Sequence, residues 1–438
     1  MGLTDRIASY IVETRYSDFP QEVIQKAKEC FMDSLGATLA GSQLLSGKLA
    51  ALFAKDVFGP GKARVLGTDY RVNPVGASWA NATSNSLLDI DDSHRDAIGH
   101  PGAVVFPSAI AFAQSDITIN GKRFLEAVVL AYEISIRIAA SRSKEKRFSF
   151  STGSWGAYGA AIAAGKLLGL DKEQMIQAIR ITNAHHPLPP NRKSYLNFGM
   201  VKETTGWASL TGSSAALLAK LGFTGMEPLL DDPEYHDDSV FDNLGKEYKI
   251  NKIGFKLYPS CRWGHTTLDA VLALRNHYPI EPDQVKEVKI RTFHKASQMT
   301  NPSPESIEDA QYSLPFLVSV MLHHGELHPS HFKPENLKDK KILNLASKVS
   351  LECDPGFEKV FPHQYLSHVE IMTSENHYEM FMEEPKGAYQ NPLALEDLKK
   401  KFLTLTRTNF RNEVASQLID VVLHIEREGS FDWLDSIL

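Results

Sequence analysis

The spacing of apolar residues in the first half of the chain restricts the fold more than any other feature. Apolar residues return at intervals of three and four, as in the stripe Ile24, Ala27, Phe31, Leu35 and Leu39. This is the period of an amphipathic α-helix. Segments 157–168 and 208–221 are rich in Ala, Gly and Ser. Because small side chains let helix axes come close together, we expect these two helices at the centre of an all-helical domain.

The pattern changes after about Lys252, where apolar and polar residues begin to alternate. Such alternation predicts strands with one wet face, here at 285–293, 349–353, 369–373 and 378–382. Helical patterns interleave at 264–275 and 313–323, and they return from Leu395 onward. We therefore predict a mainly α protein with a second α+β domain. Residues 1–253 together with 392–438 form the large all-helical domain, and residues 254–391 form a smaller lid with an antiparallel sheet.

Composition and charge argue against several classes of protein. The 438 residues suffice for two large domains, and 43% hydrophobic with 23% charged residues is typical of globular proteins. The net charge of -6 offers no basic excess for nucleic acid, and no apolar run has the length of a membrane span. Asp5 and Arg6 interrupt the N-terminus, which predicts a cytoplasmic protein without a signal peptide. The three distant cysteines predict reduced thiols.

The densest run of ionisable residues extends from Asp89 to His100, just before an apolar helix predicted over 103–114. A loop that leads into a helix N-terminus suits an anion, and carboxylates with an imidazole can form an acid/base pair. Asp89, Asp91 and His100 are therefore candidate site residues. Two alternatives remain open: a capping turn with surface charges, and a metal motif. In the second, Asp91, Asp92 and Asp96 would act like the magnesium ligands of isoprenoid synthases, but we find no second magnesium-binding segment.

Two further clusters supply candidate bases and carboxylate anchors. Arg192, Lys193 and Lys202 lie after a proline-rich stretch, and a lysine in a closed pocket either acts as a base or holds a carboxylate. Where the helical pattern ends, Arg262 can clamp a carboxylate and His265 can exchange a proton at neutral pH. The plain alternatives are solvated lysines, a surface arginine and a capping histidine.

Taken together, these clusters resemble the MmgE/PrpD family, which includes 2-methylcitrate dehydratase, cis-aconitate decarboxylase and iminodisuccinate epimerase. The resemblance covers nearly the whole chain, through the segments 32–41, 89–101, 152–157, 200–202, 258–265 and 309–315. It implies a helical domain built from both chain ends, an α+β lid, a homodimer and a cleft between the domains. It also implies proton transfer next to a carboxylate of a small substrate, with no cofactor and no metal. Asp89 or Asp91, His100, Lys202 and His265 match the family's active-site positions, with Arg262 as a carboxylate anchor.

Two departures from the family pattern bear on the reaction. Phe150 and Phe316 stand where decarboxylase relatives have a histidine and a tyrosine, and phenylalanine can neither donate nor accept a proton. We therefore predict an isomerase resembling iminodisuccinate epimerase. The alternative is a hydro-lyase resembling 2-methylcitrate dehydratase, with a decarboxylase less favoured. A carboxylate-binding protein without catalysis is kept as a further alternative, because a fold can persist without its chemistry.

Overall fold

The first half of the chain is helical, as its apolar spacing predicts. The computed structural model describes residues 2–143, 151–188 and 199–438. Its helices up to residue 220 are α1 (Leu3–Glu13), α2 (Gln21–Gly41), α3 (Leu45–Val57), α4 (Pro74–Ser86), α5 (Gly102–Ser115), α6 (Gly121–Ser141), α7 (Gly153–Leu168), α8 (Lys172–His185) and α9 (Thr205–Lys220). Short strands β1 (Pro60–Arg64), β2 (Arg71–Val72) and β3 (Ser93–His94) lie between them.

Helices and strands alternate in the second half. The strands are β4 (Ile253–Gly254), β5 (Val285–Thr292), β6 (Val349–Cys353), β7 (Ser367–Thr373) and β8 (His377–Met382). The helices are α10 (His265–His277), α11 (His294–Ser297), α12 (Ile307–Ala310), α13 (Leu314–His324), α14 (Lys340–Ala346), α15 (Pro355–Val360), α16 (Leu395–Thr406), α17 (Asn412–Leu423) and α18 (Asp432–Ile437).

Small residues bring α7 and α9 into close contact. Ala157, Ala160 and Ala208 are completely buried in this contact. A Cβ atom at Gly212 would lie 2.1 Å from the carbonyl oxygen of Ala157, so only glycine fits there. The abundance of Ala, Gly and Ser that the sequence shows in these helices is therefore a packing requirement.

The C-terminal helices return to the first half of the chain. Helix α16 packs on α2, and Leu398 and Phe402 are buried in the same hydrophobic core as Phe31. A separate core lies between residues 258 and 371. These two cores support the division at 253/254 and 391/392, which we retain as a proposal.

The main sheet has the strand order β6-β5-β7-β8. Strand β7 is antiparallel to both β5 and β8, while β6 is parallel to β5. The mainly α fold with an α+β part is confirmed, but the predicted antiparallel sheet is in fact mixed. The segment between β5 and β6 contains four helices, α11 to α14, and is long enough to return the chain for a parallel pair.

A two-stranded contact joins the candidate loop to the boundary between the two cores. Strand β3 pairs with β4, with Ser93 opposite Gly254 and His94 opposite Ile253. The Asp89–His100 segment is thereby held next to the chain that enters the second half. Among the described residues, none of the helices combines the length and apolar character that crossing a bilayer requires.

Candidate active site

The loop from Asp89 to His100, which we call the catalytic loop, is strained and buried. Asp89 and Ile98 have φ angles of 50° and 51°, in the left-handed region that non-glycine residues rarely adopt. Asp89 and Asp91 are buried despite their charge. Backbone strain and buried charge both cost free energy and tend to cluster at functional sites. The loop is therefore a better candidate for chemistry than for a capping turn with surface charges.

Asp89 lies at the centre of the cluster. Lys256 is completely buried. It donates one hydrogen bond to the Asp89 carboxylate and another, of 3.0 Å, to the backbone carbonyl oxygen of Asp89. Lys202 Nζ lies 3.9 Å from Asp89 Oδ2, and His100 Nε2 lies 3.7 Å from Oδ1. Burial acts to raise the pKa of Asp89, but these three cationic groups outweigh it and lower the pKa. Asp89 is therefore ionised.

His100 is held as an imidazolium. Its Nδ1 lies 2.8 Å from the carbonyl oxygen of Asp92, so Nδ1 donates there, and it lies 3.4 Å from Asp91 Oδ2. Its Nε2 lies between Asp89 and Glu203, 3.6 Å from Glu203 Oε1. Burial and Lys256 act to lower the pKa of His100, but Asp91 and Glu203 raise it to about 9. At neutral pH this side chain has a proton to give.

The other carboxylates of the loop have different surroundings. Asp92 accepts hydrogen bonds from Tyr132 at 2.6 Å and from the backbone amide of Gly102 at 3.0 Å, at the start of α5. Burial raises the pKa of Asp92 to about 7 and also raises the pKa of Asp91. Asp91 Oδ2 makes no hydrogen bond with any described residue. Asp92 is therefore a structural anchor, whereas Asp91 faces the imidazole.

A second strained segment presents Lys202 and Glu203. Lys202 and Thr204 have φ angles of 49° and 59°. The Lys202 ammonium donates to Gln311 and lies 5.3 Å from the centre of the Tyr312 ring. Glu203 accepts hydrogen bonds from the backbone amide of Thr152, at 3.0 Å, and from its hydroxyl. This segment thus brings a cation and an anion against the catalytic loop.

His265 is a buried neutral imidazole. Its Nε2 donates to the carbonyl oxygen of Ser260 at 3.2 Å, while Nδ1 has no hydrogen-bond partner among the described residues. Burial, together with the positive charges of Arg262 and Lys256, holds the pKa of His265 well below its ordinary value. Nδ1 therefore carries a lone pair that can accept a proton.

Arg262 lies at the start of the second half, as the sequence predicts for an anchor. It donates to the carbonyl oxygen of Phe255 at 3.3 Å. Burial lowers the pKa of Arg262 to about 10, so the guanidinium stays charged at neutral pH. The alternative of a surface arginine does not fit this burial.

Of the four other residues that the sequence analysis singles out, the structure describes only Phe316. Arg192, Lys193 and Phe150 lie outside the described residues. Phe316 is completely buried in the core of the second half, where it packs on Phe332. The aromatic residue beside Lys202 is instead Tyr312, whose pKa is raised by burial, by the Asp89 charge and by a hydrogen bond with Asp89. A phenol is therefore present at the site, although Phe316 cannot supply one.

Sequence reasoning gave no role to four residues of the cluster, which are Lys256, Glu203, Gln311 and Tyr312. Gln311 and Tyr312 stand in a segment that carries the family resemblance, and Glu203 and Lys256 lie within two positions of one. Their meeting depends on long-range contacts: Gln311 links Lys202 to the backbone carbonyl of Leu87, at 2.8 Å. In the sequence, only their ionisable or polar character and their place in or near these segments distinguish the four residues.

The described residues contain one group of three potential metal ligands that converge, Asp89, Asp91 and His100, with ligand atoms within 4.8 Å of one another. A divalent cation there would compete with Lys256 and Lys202 for Asp89. Asp92 is occupied by Tyr132, and Asp96 pairs with Lys249 at the surface. The magnesium-motif alternative for Asp91, Asp92 and Asp96 therefore does not fit this arrangement.

Comparison with known proteins identifies relatives of the whole chain. The model of the MmgE/PrpD N-terminal domain matches residues 5–249, and that of the C-terminal domain matches residues 258–427. Cis-aconitate decarboxylase of Aspergillus terreus is 24% identical over 97% of this chain and 94% of its own length. The human cis-aconitate decarboxylase is also 24% identical, over 97% of this chain and 92% of its own. The mitochondrial 2-methylcitrate dehydratase of Yarrowia lipolytica is 24% identical over 81% of this chain and 73% of its own. The chain therefore belongs to the MmgE/PrpD family.

Proposed function

We propose that this protein is a hydro-lyase acting on a small di- or tricarboxylate. It removes a proton from the carbon next to a carboxylate and expels water from the neighbouring carbon. The observation that carries the proposal is the different surroundings of two imidazoles near Lys256. His100 Nε2 lies between the carboxylates of Asp89 and Glu203, whereas His265 Nδ1 is buried without a hydrogen-bond partner among the described residues. The carboxylates around His100 raise its pKa, and burial lowers the pKa of His265. Groups whose environments separate their pKa values in this way are suited to act as acid and base.

The reaction can be written with these two residues. His265 Nδ1 takes the proton from carbon, and the electrons of that C–H bond form a double bond to the neighbouring carbon. The C–O bond of that carbon breaks as His100 Nε2 gives its proton to the departing oxygen, which leaves as water. Exchange of protons with solvent then restores both imidazoles. Each proton transfer of this kind contributes about a hundredfold to ten-thousandfold in rate.

Cationic groups supply the remaining stabilisation. Negative charge moves onto the carboxylate oxygens when the carbon loses its proton, and a fixed ammonium stabilises it. Lys202 is assigned this role because its ammonium is already oriented by Gln311. Arg262 is assigned to a second carboxylate, together with Arg192 and Lys193.

The epimerase predicted from sequence has less support than the hydro-lyase. The relatives identified by comparison are named as a decarboxylase and a dehydratase. An acid and a base on either side of a carbon serve elimination as well as epimerisation, so the geometry alone does not favour the epimerase. We therefore place the hydro-lyase first.

Decarboxylation is the second candidate, and Tyr312 favours it. The sequence disfavours this reaction because neither Phe150 nor Phe316 offers a proton, but Tyr312 supplies a phenol beside Lys202 and Asp89. Loss of carbon dioxide leaves an electron pair on carbon, to which the phenol could donate. The cis-aconitate decarboxylases also match almost the whole chain.

We propose further that the protein is a homodimer. Exposed apolar side chains lie along α3, where Leu49, Leu52 and Phe53 are 48%, 45% and 40% exposed. The patch continues through Trp79 on α4 to Trp207 on α9. The ring centres of Phe53 and Trp79 are 4.8 Å apart, and those of Trp79 and Trp207 are 6.1 Å apart. Monomers rarely expose such a contiguous surface. Light scattering at micromolar concentration should give twice the chain mass, and Leu49→Asp should reduce that mass; a wild-type monomer would contradict the proposal.

The reaction is tested by NMR in heavy water. The protein is incubated separately with ¹³C-labelled 2-methylcitrate, other hydroxy di- and tricarboxylates, and cis-aconitate. The proposal predicts new alkene carbon signals from a hydroxy acid, with no release of carbon dioxide. His100→Asn is the matched control, since it keeps the size and polarity of the side chain and removes the acid.

The other outcomes identify the alternatives. Labelled bicarbonate without prior alkene formation indicates the decarboxylase. Deuterium at the carbon next to a carboxylate, without alkene or carbon dioxide, indicates the epimerase. If acids bind but no exchange occurs, the protein is a carboxylate-binding protein and the proposed hydro-lyase is wrong.

A further inference from the structure

Arg95 connects the catalytic loop to the second half of the chain. It lies on the loop between Asp91 and His100, and its guanidinium makes two parallel hydrogen bonds to Glu384, of 3.0 and 2.7 Å. It also donates to the backbone carbonyl of His363. The Arg95 and Glu384 side chains are only 12% and 15% exposed. A guanidinium that makes two parallel hydrogen bonds binds a carboxylate in one orientation. The contact therefore fixes both the orientation of the loop relative to the lid and the distance between them.

The lid side of this contact leads back to the site. The Arg95 guanidinium lies over the Tyr365 ring, 4.5 Å from its centre. Tyr365 belongs to a small core that also contains Cys261 and Tyr312. Cys261 donates its backbone amide to the carbonyl oxygen of Gln311 at 3.0 Å, and the side chain of Gln311 holds Lys202. Arg95 therefore belongs to the loop that carries His100 and also contacts the core that contains Tyr312.

We propose that Arg95 and Glu384 are positioning residues that align the catalytic loop with the lid, and that catalysis requires their two-pronged contact. This inference rests on the proposed lyase function. Neither residue is assigned a contact with substrate, so they act through His100 and Lys202. A displacement of about 1 Å in a reacting group can cost about a hundredfold in rate, which makes such alignment important.

Arg95→Lys tests the contact, because lysine keeps the charge but cannot make two parallel bonds or stack as a guanidinium does. We expect kcat to fall about tenfold to a hundredfold, with KM changed by less than about threefold. Hydrogen exchange of backbone amides in residues 89–100 should become faster. Glu384→Gln, which has nearly the same shape, should produce the same changes. The double variant should be little worse than either single one, because both remove one interaction.

Lys386 and Asp397 provide a matched control. Their ion pair of 3.2 Å also joins the proposed lid to α16 but does not touch the catalytic loop. Lys386→Met should leave kcat and the exchange of residues 89–100 unchanged. Thermal unfolding of every variant shows whether it is folded before the rates are compared.

Each result bears on the inference directly. If Arg95→Lys and Glu384→Gln leave both kcat and loop exchange unchanged, the positioning role is wrong. If kcat falls while loop exchange stays normal, Arg95 acts on substrate rather than on the loop, which also overturns the inference. If loop exchange rises without loss of kcat, alignment is not required. A wild-type protein that is inactive on every acid would refute the lyase proposal instead, and the exchange comparison would still test the contact.

Discussion

Two groups of buried charges in this protein differ in how completely they are paired. On α6, Glu133 and Arg137 form an ion pair of 2.6 Å with both side chains fully buried. Arg137 also donates to the carbonyl oxygens of Val240 and Glu247, and the second oxygen of Glu133 accepts from the backbone amide of Lys249. Every charged group of this pair has short partners. Such a pair holds the segment near residue 249 against the helix.

The cluster around Asp89 is equally buried but less well satisfied. His100 Nε2 lies 3.7 and 3.6 Å from Asp89 and Glu203, which are ion-pair distances rather than short hydrogen bonds. Among the described residues, Asp91 Oδ2, His265 Nδ1 and Ser260 Oγ have no hydrogen-bond partner. Unmet buried polar atoms cost free energy, and a ligand that meets them is one reason for a protein to retain them. We propose that the paired charges on α6 hold the fold and that the cluster around Asp89 binds the substrate.

The largest expected effect is on turnover, through His100. We expect His100→Asn to lower kcat about a hundredfold to ten-thousandfold, because the proton donor is lost. KM should change little, since proton transfer contributes mainly to the transition state. Asp96→Asn is the control. The Asp96 side chain is on the same loop but is half exposed, and its carboxylate lies 3.5 Å from the Lys249 ammonium. Steady-state kinetics on both variants measures the effect. Normal turnover by His100→Asn would show that His100 is not the proton donor.

The complementary expectation concerns stability, through Glu133. Glu133→Gln leaves the buried Arg137 charge without its partner, which should lower the free energy of unfolding by about 3–5 kcal/mol. The folded fraction should keep its kcat. Glu396→Gln, which breaks an exposed ion pair with Lys399, should cost at most about 1 kcal/mol. Denaturant unfolding measures both; a loss of kcat without loss of stability in Glu133→Gln would erase the distinction between the two charge groups.

The pH dependence of kcat sharpens the role of Glu203. His100 acts as an acid only while protonated, so the rate should fall as pH rises through its pKa of about 9. Glu203→Gln removes a negative charge that raises this pKa while leaving an oxygen to accept from Thr152. The alkaline limb should therefore shift to lower pH, by about one unit. An unshifted alkaline limb would show that Glu203 does not set the protonation of His100.

The smallest expected effect is at Phe316. Phe316→Leu removes part of a buried ring from the lid core and should cost about 1–2 kcal/mol of stability. Turnover should remain close to that of the wild type, because this ring packs on Phe332 in the lid core. Tyr312→Phe is the informative partner variant: it removes only a hydroxyl that bonds to Asp89. If Phe316→Leu were inactive and Tyr312→Phe fully active, our placement of the phenol would be wrong.

The elements of the fold could be predicted closely because the apolar residues that pack against a core follow the period of each element. The strand predicted at 349–353 is β6 (Val349–Cys353), and the helix predicted at 157–168 begins only slightly earlier, as α7 (Gly153–Leu168). The direction of β6 could not be predicted, because a strand with one wet face shows alternating apolar residues whichever way its neighbour runs. That direction depends on the path of the connecting segment, which local patterns do not contain.

The cluster that forms the candidate site could be predicted from sequence where its residues are adjacent along the chain, but not where they are distant. Asp89, Asp91 and His100 are conspicuous as one ionisable run. Gln311 is an ordinary polar residue until the fold brings it to Lys202, which is 109 positions away. The sequence does not distinguish Tyr312 from Phe316, because only the fold shows that Tyr312 lies beside Lys202 and that Phe316 lies in the lid core.

The central claim is that one site holds His100 as a protonated acid and His265 as a neutral base. The most direct test is ¹⁵N NMR of histidine-labelled protein across a pH titration, with signals assigned by His100→Asn and His265→Asn. We predict that His100 remains an imidazolium until about pH 9, and that His265 is neutral at neutral pH with its proton on Nε2. If His100 loses its proton near pH 6.5, or if His265 is protonated at neutral pH, the assignment of acid and base is contradicted.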